Sequence, residues 1–569
     1  MLKISLLWYV VICLCFSQLG TCTTVLAPRN LTVCNSLIYC TGEILHVFQM
    51  AKVLPNSKAF VDLKLLMSEE AILKSFDTFM AETDNAPNSV QLTNFLEQHF
   101  EDKDELRYWR PPDFDPNPPV LEGIKNRNLL EFAKDIINIW PKVGRNVAMD
   151  VARRPEHYSF IYVPKGFVVP GGKTEELYYW DSYWIIRGLL ISNMAMTARG
   201  MIENFLYLVT QFGYIPQGTR IYYLGRTHPP FLTWMVSDYI AVTGDKLWLK
   251  QNIATVEAEL QFWLDNKAFP IELRGYNYTL LRYVSDKNSQ GPRPEFYYDD
   301  YENAQKLPDR LRKTFYDQMK STSESGWDFS SRWLMNAGTK SEFNVTDVNT
   351  YQILPVDLNS IFAAALQKMG NLRNKLGFAK QAQKWWSLAE KWRDAIENVL
   401  WDHEDGIWYD FDTRTMARRK HFYLSCAAPL WASAVEPWQA PERARYFVRY
   451  LHASGVLKFP GGVPTSLWHT EELWDYPNVW PPLQAILIGA LENSDCSEAK
   501  RLAKRQIENW VRANYLGYKK WDKMFDRYHC TNVGEHGGSG EYIVQYGYGW
   551  TNGFMLELLQ RYGMELNFS

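Results

Sequence analysis

Six acidic side chains lie in loop-like stretches that are rich in aromatic residues and glycine. Hydrolysis of a glycosidic bond needs two carboxyl groups, one that protonates the leaving oxygen and one that acts as nucleophile or activates a water molecule. The stretches are far apart in the chain, so spacing alone does not choose the pair. The six residues are Asp181, Glu295, Asp328, Asp475, Asp526 and Glu541.

Asp328 has the most unusual neighbours of the six. It lies between Trp327 and Phe329 in the stretch SGWDFSSRW. Burying an ionised carboxylate among rings is costly, and a raised pKa that keeps the proton in place avoids this cost. Such a group is a proton donor at neutral pH. The alternative is a structural Asp that is paired with Arg332 or with backbone amides.

Seven loops combine aromatic residues, charges and glycine. Aromatic residues make up 15 % of the chain, with 23 Trp. Aromatic faces pack against the C–H faces of a pyranose, and charged or amide groups bind its hydroxyls. Each loop alone is also consistent with a purely structural role, but the seven together favour a carbohydrate pocket. They span 168–184, 214–230, 290–301, 324–333, 473–482, 524–530 and 534–553.

The overall charge argues against a polyanionic partner. The chain of 569 residues has 61 basic and 64 acidic residues, and its formal net charge is −3. That balance produces no field strong enough for nucleic acid or an anionic membrane surface. We therefore expect no nucleic-acid partner and a neutral substrate.

Amphipathic helices are expected to position these loops. Trp385, Leu388, Trp392, Ile396 and Val399 recur every three or four residues, which is typical of a helix with one buried face. The pattern repeats at 503–511, and 359–369 begins with possible N-caps. Many such helices joined by long loops predict a helical barrel with its site at one end. The Pro-rich stretch 109–120 fits either a linker or a wrap-around arm.

The N-terminus predicts secretion. Residues 1–22 have the basic start, apolar run and small residues of a signal peptide, which leaves 23–569 as a single domain with an N-terminal arm. The apolar run is shorter than a membrane span, and no later stretch is long enough, so we expect no transmembrane segment. Four glycosylation sequons suit an extracellular product. They begin at Asn30, Asn277, Asn344 and Asn567.

The cysteines indicate a disulfide rather than a metal site. Cys34 and Cys40 are close enough to close a small loop in an oxidising compartment. Cys426, Cys496 and Cys530 are scattered without CxxC spacing, which disfavours zinc. We expect no bound metal.

The loops resemble those of the trehalases, enzymes that hydrolyse the α,α-1,1 bond between two glucose units. The resemblance runs from CNSLIYCTGEIL at 34–45 to WTNG at 550–553, and its most specific motifs are PGG followed by ELYYWDSYW, and WDYPNVWPP. It implies an all-α fold, an (α/α)6 barrel of paired helices with the site at one mouth. It also implies an inverting mechanism, trehalose as the substrate, and no metal or organic cofactor.

The resemblance assigns roles to individual residues. Asp328 stands where trehalases have the general acid, and Asp526 where they have the general base. A second group matches positions that bind the disaccharide. This group contains Lys173, Trp180, Asp181, Gln217, Arg226, Arg293, Glu295, Trp474 and Glu541.

Four positions depart from the family pattern. Asp526 in MFDRYHC replaces the Glu of MFEKY, which withdraws the carboxylate by about 1.5 Å, a shift that can cost on the order of 100-fold in rate. Lys173 replaces an Arg and lacks its bidentate fork. Gln217 replaces an Asn, and Leu473 replaces a Gln. The sequence is therefore consistent with a trehalase, an inverting glucosidase of altered substrate, or a sugar-binding protein without turnover.

Overall fold

Segments with apolar residues at helical spacing form the helices of this protein. The computed structural model describes residues 33–171, 174–286, 290–334, 344–538 and 547–567. Trp385, Trp392, Ile396 and Val399 are buried on one face, as predicted, and Leu388 is half-buried. The α-helix ends at Ala395 and continues as one turn of π-helix.

Nineteen α-helices lie in the described part of the chain. They are α1 (Glu43–Ala51), α2 (Ser57–Val61), α3 (Glu69–Glu82), α4 (Ser89–His99), α5 (Arg127–Ile137), α6 (Met149–Arg153), α7 (Asp181–Ile191), α8 (Ala195–Phe212), α9 (Leu232–Thr243), α10 (Lys246–Asn266), α11 (Tyr297–Gln305), α12 (Asp309–Ser323), α13 (Val356–Lys375), α14 (Ala379–Ala395), α15 (Ala428–Trp431), α16 (Ala440–Ala453), α17 (Pro481–Glu492), α18 (Ser497–Trp521) and α19 (Gly549–Tyr562).

Six of these helices form a closed inner ring. Helices α7, α9, α13, α15, α17 and α19 contact one another in that order, and α19 returns to α7. Outside the ring, α8 packs on α7 and α9, α10 on α9 and α13, and α14 on α13. Helix α16 contacts α15 and α18, α18 contacts α17 and α19, and α5 contacts α19. The arrangement confirms the predicted (α/α)6 barrel.

The strands are short and pair only in antiparallel ribbons of two or three. The sheets are β1–β2, β3–β4–β5, β6–β7, β8–β11–β12, β9–β10 and β13–β14. The strands are β1 (Lys64–Leu65), β2 (Phe100–Glu101), β3 (Leu106–Tyr108), β4 (Gly144–Val147), β5 (Phe167–Val168), β6 (Ala268–Leu273), β7 (Tyr276–Leu281), β8 (Ile353–Leu354), β9 (Trp401–Asp402), β10 (Ile407–Trp408), β11 (Phe411–Asp412), β12 (Ala417–Arg418), β13 (Asn478–Val479) and β14 (Tyr528–His529).

The ribbon β13–β14 joins two of the chemically rich loops. Asn478 pairs with His529, and Val479 pairs with Tyr528. This register places the WDYPNVWPP and MFDRYHC segments side by side, although about 50 residues separate them in the sequence. The loops of the site therefore meet beside the N-terminal ends of α17 and α19.

The N-terminal segment, residues 33–101, has a hydrophobic cluster of its own. Helices α1–α4 supply most of its buried side chains, and Tyr222, Tyr223 and Tyr297 join it from the rest of the chain. The predicted bond between Cys34 and Cys40 is present in this segment. The segment is thereby attached to the loops that surround the site.

The start of α13 differs from the sequence-based expectation. The helix begins at Val356 behind Pro355, so Asn359 lies inside the helix and is not a cap. Its side-chain amide is buried, accepts a hydrogen bond from the Leu281 backbone N–H and donates to the Leu281 carbonyl. Asn359 therefore attaches β7 to the inner ring.

The described residues contain neither a candidate membrane span nor a candidate metal site. No helix there is long and apolar enough to cross a bilayer. No group of three or more His, Cys, Asp or Glu side chains in those ranges is placed to hold a metal ion. The predicted signal peptide lies outside the described residues, and so do Lys173 and Glu541, which are predicted to bind the substrate.

Candidate active site

A cavity of about 450 Å³ lies at the mouth formed by the N-terminal ends of α7 and α19. Its volume accommodates a disaccharide-sized ligand. Its aromatic walls are Tyr178, Trp180, Tyr223, Phe296, Tyr298, Trp474, Tyr548 and Trp550. Its carboxylates are Glu176, Asp181, Glu295, Asp299 and Asp328.

Asp328 is half-buried and lines this cavity. Burial raises the pKa of its carboxyl group to about 6, the positive charge of Arg293 acts in the opposite direction, and the negative charge of Glu295 raises it further. Arg332, the alternative partner, donates instead to Asp357 and Asp410. Asp328 therefore lines the cavity and is not the ion-pair partner of Arg332.

Stacked tryptophans fix the position of the Asp328 loop. Trp327 stacks on Trp474 with ring centroids 5.4 Å apart, and Trp474 stacks on Trp480 at 3.9 Å. Gly326 makes room for Trp180, because a Cβ at this residue would lie 2.8 Å from the indole, and its φ of +73° favours glycine. The stack gives the acid a rigid, apolar support.

Asp181 is the second carboxylate deep in the cavity. It is the first residue of α7, and the Tyr548 hydroxyl donates to its Oδ1 at 3.1 Å. Burial raises its pKa to about 7, the Tyr548 hydrogen bond opposes this shift, and the charge of Asp328 adds to it. The two carboxyl groups are therefore electrostatically coupled.

Arg226 and Glu295 form a buried ion pair at the cavity wall. Arg226 Nη2 lies 2.8 Å from Glu295 Oε1, and Glu295 itself lines the cavity. Arg226 Nη1 is buried and has no hydrogen-bond partner among the described residues. Arg226 itself is not among the lining residues, so Glu295 is the member of the pair that a ligand in the cavity would contact.

Arg293 does not line the cavity. Its side chain is fully buried, and its Nη2 and Nε donate to the two carboxylate oxygens of Asp300 at 2.7 and 2.9 Å. The guanidinium lies between the rings of Phe296 and Phe329. Arg293 therefore acts on the site through its charge and through the loop that carries Asp328.

Gln217 and His228 present unsatisfied polar atoms to the cavity. Gln217 Oε1 and His228 Nδ1 are buried without a partner among the described residues. Burial lowers the pKa of His228 to about 3, and the charge of Arg226 adds to this shift, so its imidazole is neutral. Sequence reasoning missed His228, although it lies in the same GRTHPP motif as Arg226.

The N-terminal segment supplies a wall of the cavity that sequence reasoning also missed. Asn56, Ser57 and Lys58 line it. Lys58 Nζ forms ion pairs with Glu176 and, at 2.8 Å, with Asp62. No spacing signal links these residues to the barrel loops, because only the packing of α2 brings them there.

Asp526, the predicted base, is buried next to Trp550, a residue of the cavity wall. Its Oδ2 accepts a hydrogen bond from Arg527 Nη1 at 2.8 Å, and its backbone carbonyl accepts one from Trp550 Nε1 at 3.0 Å. Trp550 lines the cavity, whereas the wall formed by the described residues does not include Asp526. Asp526 thus lies behind Trp550, whose side chain a ligand would contact.

Asp475, a candidate carboxylate by sequence, is used in a hydrogen-bond network. It accepts from the Ser330, Ser331 and Ser466 hydroxyls at 2.6–3.0 Å, and from Thr470 Oγ1 at 2.6 Å. These bonds join the loop that follows Asp328 to the loop that contains Trp474. Asp475 therefore holds the two loops in register.

Comparison with known proteins places the chain in a family. The family model described as Trehalase matches residues 52–563. The chain is 44 % identical to a trehalase of Bombyx mori over 96 % of this chain and 94 % of the relative. It is 40 % identical to a human trehalase over 94 % of this chain and 90 % of the relative. The structure of neutral trehalase Nth1 from Saccharomyces cerevisiae has the same fold, with a TM-score of 0.53 and 21 % identity over 70 % of this chain and 75 % of that one. By sequence and by fold, the chain belongs to the trehalase family.

Proposed function

We propose that this protein is a secreted trehalase that hydrolyses trehalose to two glucose molecules with inversion, with Asp328 as general acid. The observation that carries the proposal is Asp328, a carboxyl group of raised pKa in an aromatic, disaccharide-sized cavity. The unsatisfied atoms of Gln217 and His228, which line the cavity, support it, because sugar hydroxyls both donate and accept.

In the proposed reaction Asp328 protonates the glycosidic oxygen as the bond to the anomeric carbon breaks. A carboxylate on the opposite face takes a proton from water, whose oxygen attacks that carbon. Asp526 is proposed for this second role on the basis of the family pattern. Inversion requires the two carboxyl groups to be roughly 6.5–9.5 Å apart across the sugar.

The stereochemistry of the products tests the proposal. Inversion of trehalose releases one β-glucose, formed by water attack, and one α-glucose, the leaving group. Proton NMR of the first minutes of reaction should therefore show equal amounts of both anomers before mutarotation. Two α anomers would contradict inversion, and no glucose from folded protein would contradict hydrolysis.

The burial of Asp526 favours one alternative, a sugar-binding protein without turnover. Its carboxylate is bonded to Arg527 and lies behind the described wall. Such a protein would bind trehalose in calorimetry and release no glucose. If Asp526→Glu then hydrolysed trehalose, the missing methylene group of Asp526 would explain why the wild type does not.

The proposal that the protein is secreted rests on its N-terminal residues and on residues at its surface. The segment 1–22 has the pattern of a signal peptide. The Cys34–Cys40 disulfide and the exposed sequon residues Asn277, Asn344 and Asn567 suit an oxidising, glycosylating compartment. Expression in a eukaryotic secretory host should deliver glycosylated protein to the medium, and retention inside the cells would argue against it.

The proposed acid predicts the pH dependence of the reaction. Asp328 must be protonated to donate, and its pKa is about 6. We therefore expect kcat/KM for trehalose to be highest below about pH 6 and to fall roughly tenfold for each further pH unit above it. A pH–rate profile of kcat/KM checks this limb, and a flat profile from pH 6 to 8 would contradict the assignment.

A further inference from the structure

A second cavity, of about 610 Å³, lies at the other mouth of the barrel. Its walls come from the inner-ring helices α7, α9, α13, α17 and α19, mostly from their C-terminal halves, and from the end of the short helix α15. On α7, Asp181 lines the first cavity and Tyr183, Arg187, Leu190 and Ile191 line the second, and the two cavities have no lining residue in common. The second cavity is therefore distinct from the one that contains Asp328.

Ion pairs line part of this second cavity. Arg187 Nη2 lies 2.9 Å from Glu557 Oε1, and Arg561 Nη2 lies 2.6 Å from Glu492 Oε2. These four charges cancel in pairs. A ligand of either net charge would have to displace one partner of a pair, so the charge pattern favours a neutral ligand.

Two further polar residues, Asp238 and Lys368, lie in the cavity wall. Asp238 Oδ2 forms an ion pair with Arg187 Nε at 3.6 Å and is buried without a hydrogen-bond partner among the described residues. Lys368 Nζ lies over the ring of Trp234, and burial lowers its pKa. A ligand hydroxyl that donates to Asp238 would satisfy its carboxylate, and a hydroxyl oxygen can accept from Lys368.

Aromatic side chains give the cavity an apolar wall. Trp234 and Trp431 stack with ring centroids 4.8 Å apart and an interplanar angle of 16°. Gly489 permits the position of Trp431, because a Cβ there would lie 2.4 Å from its Cδ1. Both tryptophans line the cavity beside the paired charges, and such a mixture of apolar and polar wall suits a pyranose.

We propose that this second cavity binds a neutral pyranose sugar, with Asp238 and Lys368 holding its hydroxyls beside the Trp234–Trp431 stack. The cavity is larger than a single hexose. Because its charged residues are paired, we expect a neutral ligand rather than an ion. The proposal depends on this cavity alone and not on the hydrolytic activity proposed for the other mouth.

Equilibrium dialysis of the full chain with labelled D-glucose tests the proposal. We expect two glucose molecules per chain where the first cavity also binds glucose and one where it does not; in either case one site is lost in Lys368→Met and in Asp238→Asn, with at least tenfold weaker binding there. The matched control Lys375→Met changes an exposed lysine of the same helix and should keep every site of the wild type. Circular dichroism and, where the first cavity binds glucose, its unchanged site establish that each variant is folded.

Three outcomes would overturn the proposal. A single glucose site in the wild type that persists in Lys368→Met and Asp238→Asn would remove the second site. Two sites that both persist in Lys368→Met and Asp238→Asn would place the second one elsewhere. Inorganic phosphate that binds tightly and is lost in Lys368→Met would make the cavity an anion site.

Discussion

Replacing Asp328 by Asn is expected to lower kcat/KM for trehalose about 1,000-fold, within the range that general acid catalysis contributes. The amide has the same shape as the carboxyl group, so the support from Trp327 and Trp474 is kept. It cannot donate a comparable proton to the glycosidic oxygen. Glucose release at pH 5.5 measures the loss, and calorimetry with trehalose should still detect binding.

Asp299→Asn is the matched control for this variant. Asp299 also lines the cavity, but its side chain is exposed at the rim. A change of less than tenfold is expected, because neither the acid nor the aromatic wall is altered. If Asp328→Asn keeps wild-type activity, another of the cavity carboxyl groups is the acid.

Replacing Asp526 by Ala is expected to lower kcat at least 100-fold, with a smaller change in KM. Removal of a base leaves space for a small anionic nucleophile, and Asp328 still protonates the leaving oxygen. Sodium azide should therefore restore cleavage of trehalose and give β-glucosyl azide, the inverted product. Mass spectrometry and NMR identify that product.

Asp181→Ala provides the decisive comparison for the base. Asp181 lines the cavity and its pKa is coupled to the charge of Asp328, whereas Asp526 lies behind Trp550 in the described structure. With Asp526 as base, azide rescues Asp526→Ala and does not raise the activity of Asp181→Ala. Rescue of Asp181→Ala alone would transfer the role of base to Asp181.

Periodicity and motif determined much of this protein at the level of sequence. The stripe at Trp385 and Trp392 predicted a buried helix face, and the loop motifs predicted a helical barrel of the trehalase family. The role of Asp328 as proton donor is implied by its match to the trehalase motif, and its place between Trp327 and Phe329 fits a raised pKa. These inferences rely on local patterns, which the sequence displays directly.

Only the tertiary structure decided which polar groups meet. Arg293 and Arg332 are not among the residues that line the cavity, and Asp300, Asp357 and Asp410 satisfy their guanidinium groups. His228, and Lys58 on the N-terminal segment, reach the cavity through packing between elements distant in the chain.

The position of Asp526 is likewise decided by the tertiary structure. Its sequence motif marks it as the base, while its burial beside Arg527 depends on the pairing of β13 with β14 and on the Trp550 hydrogen bond. Local patterns thus specify helices and residue types. Hydrogen-bond partners that lie far apart in the sequence decide where each charged group points, since a buried charge must be paired.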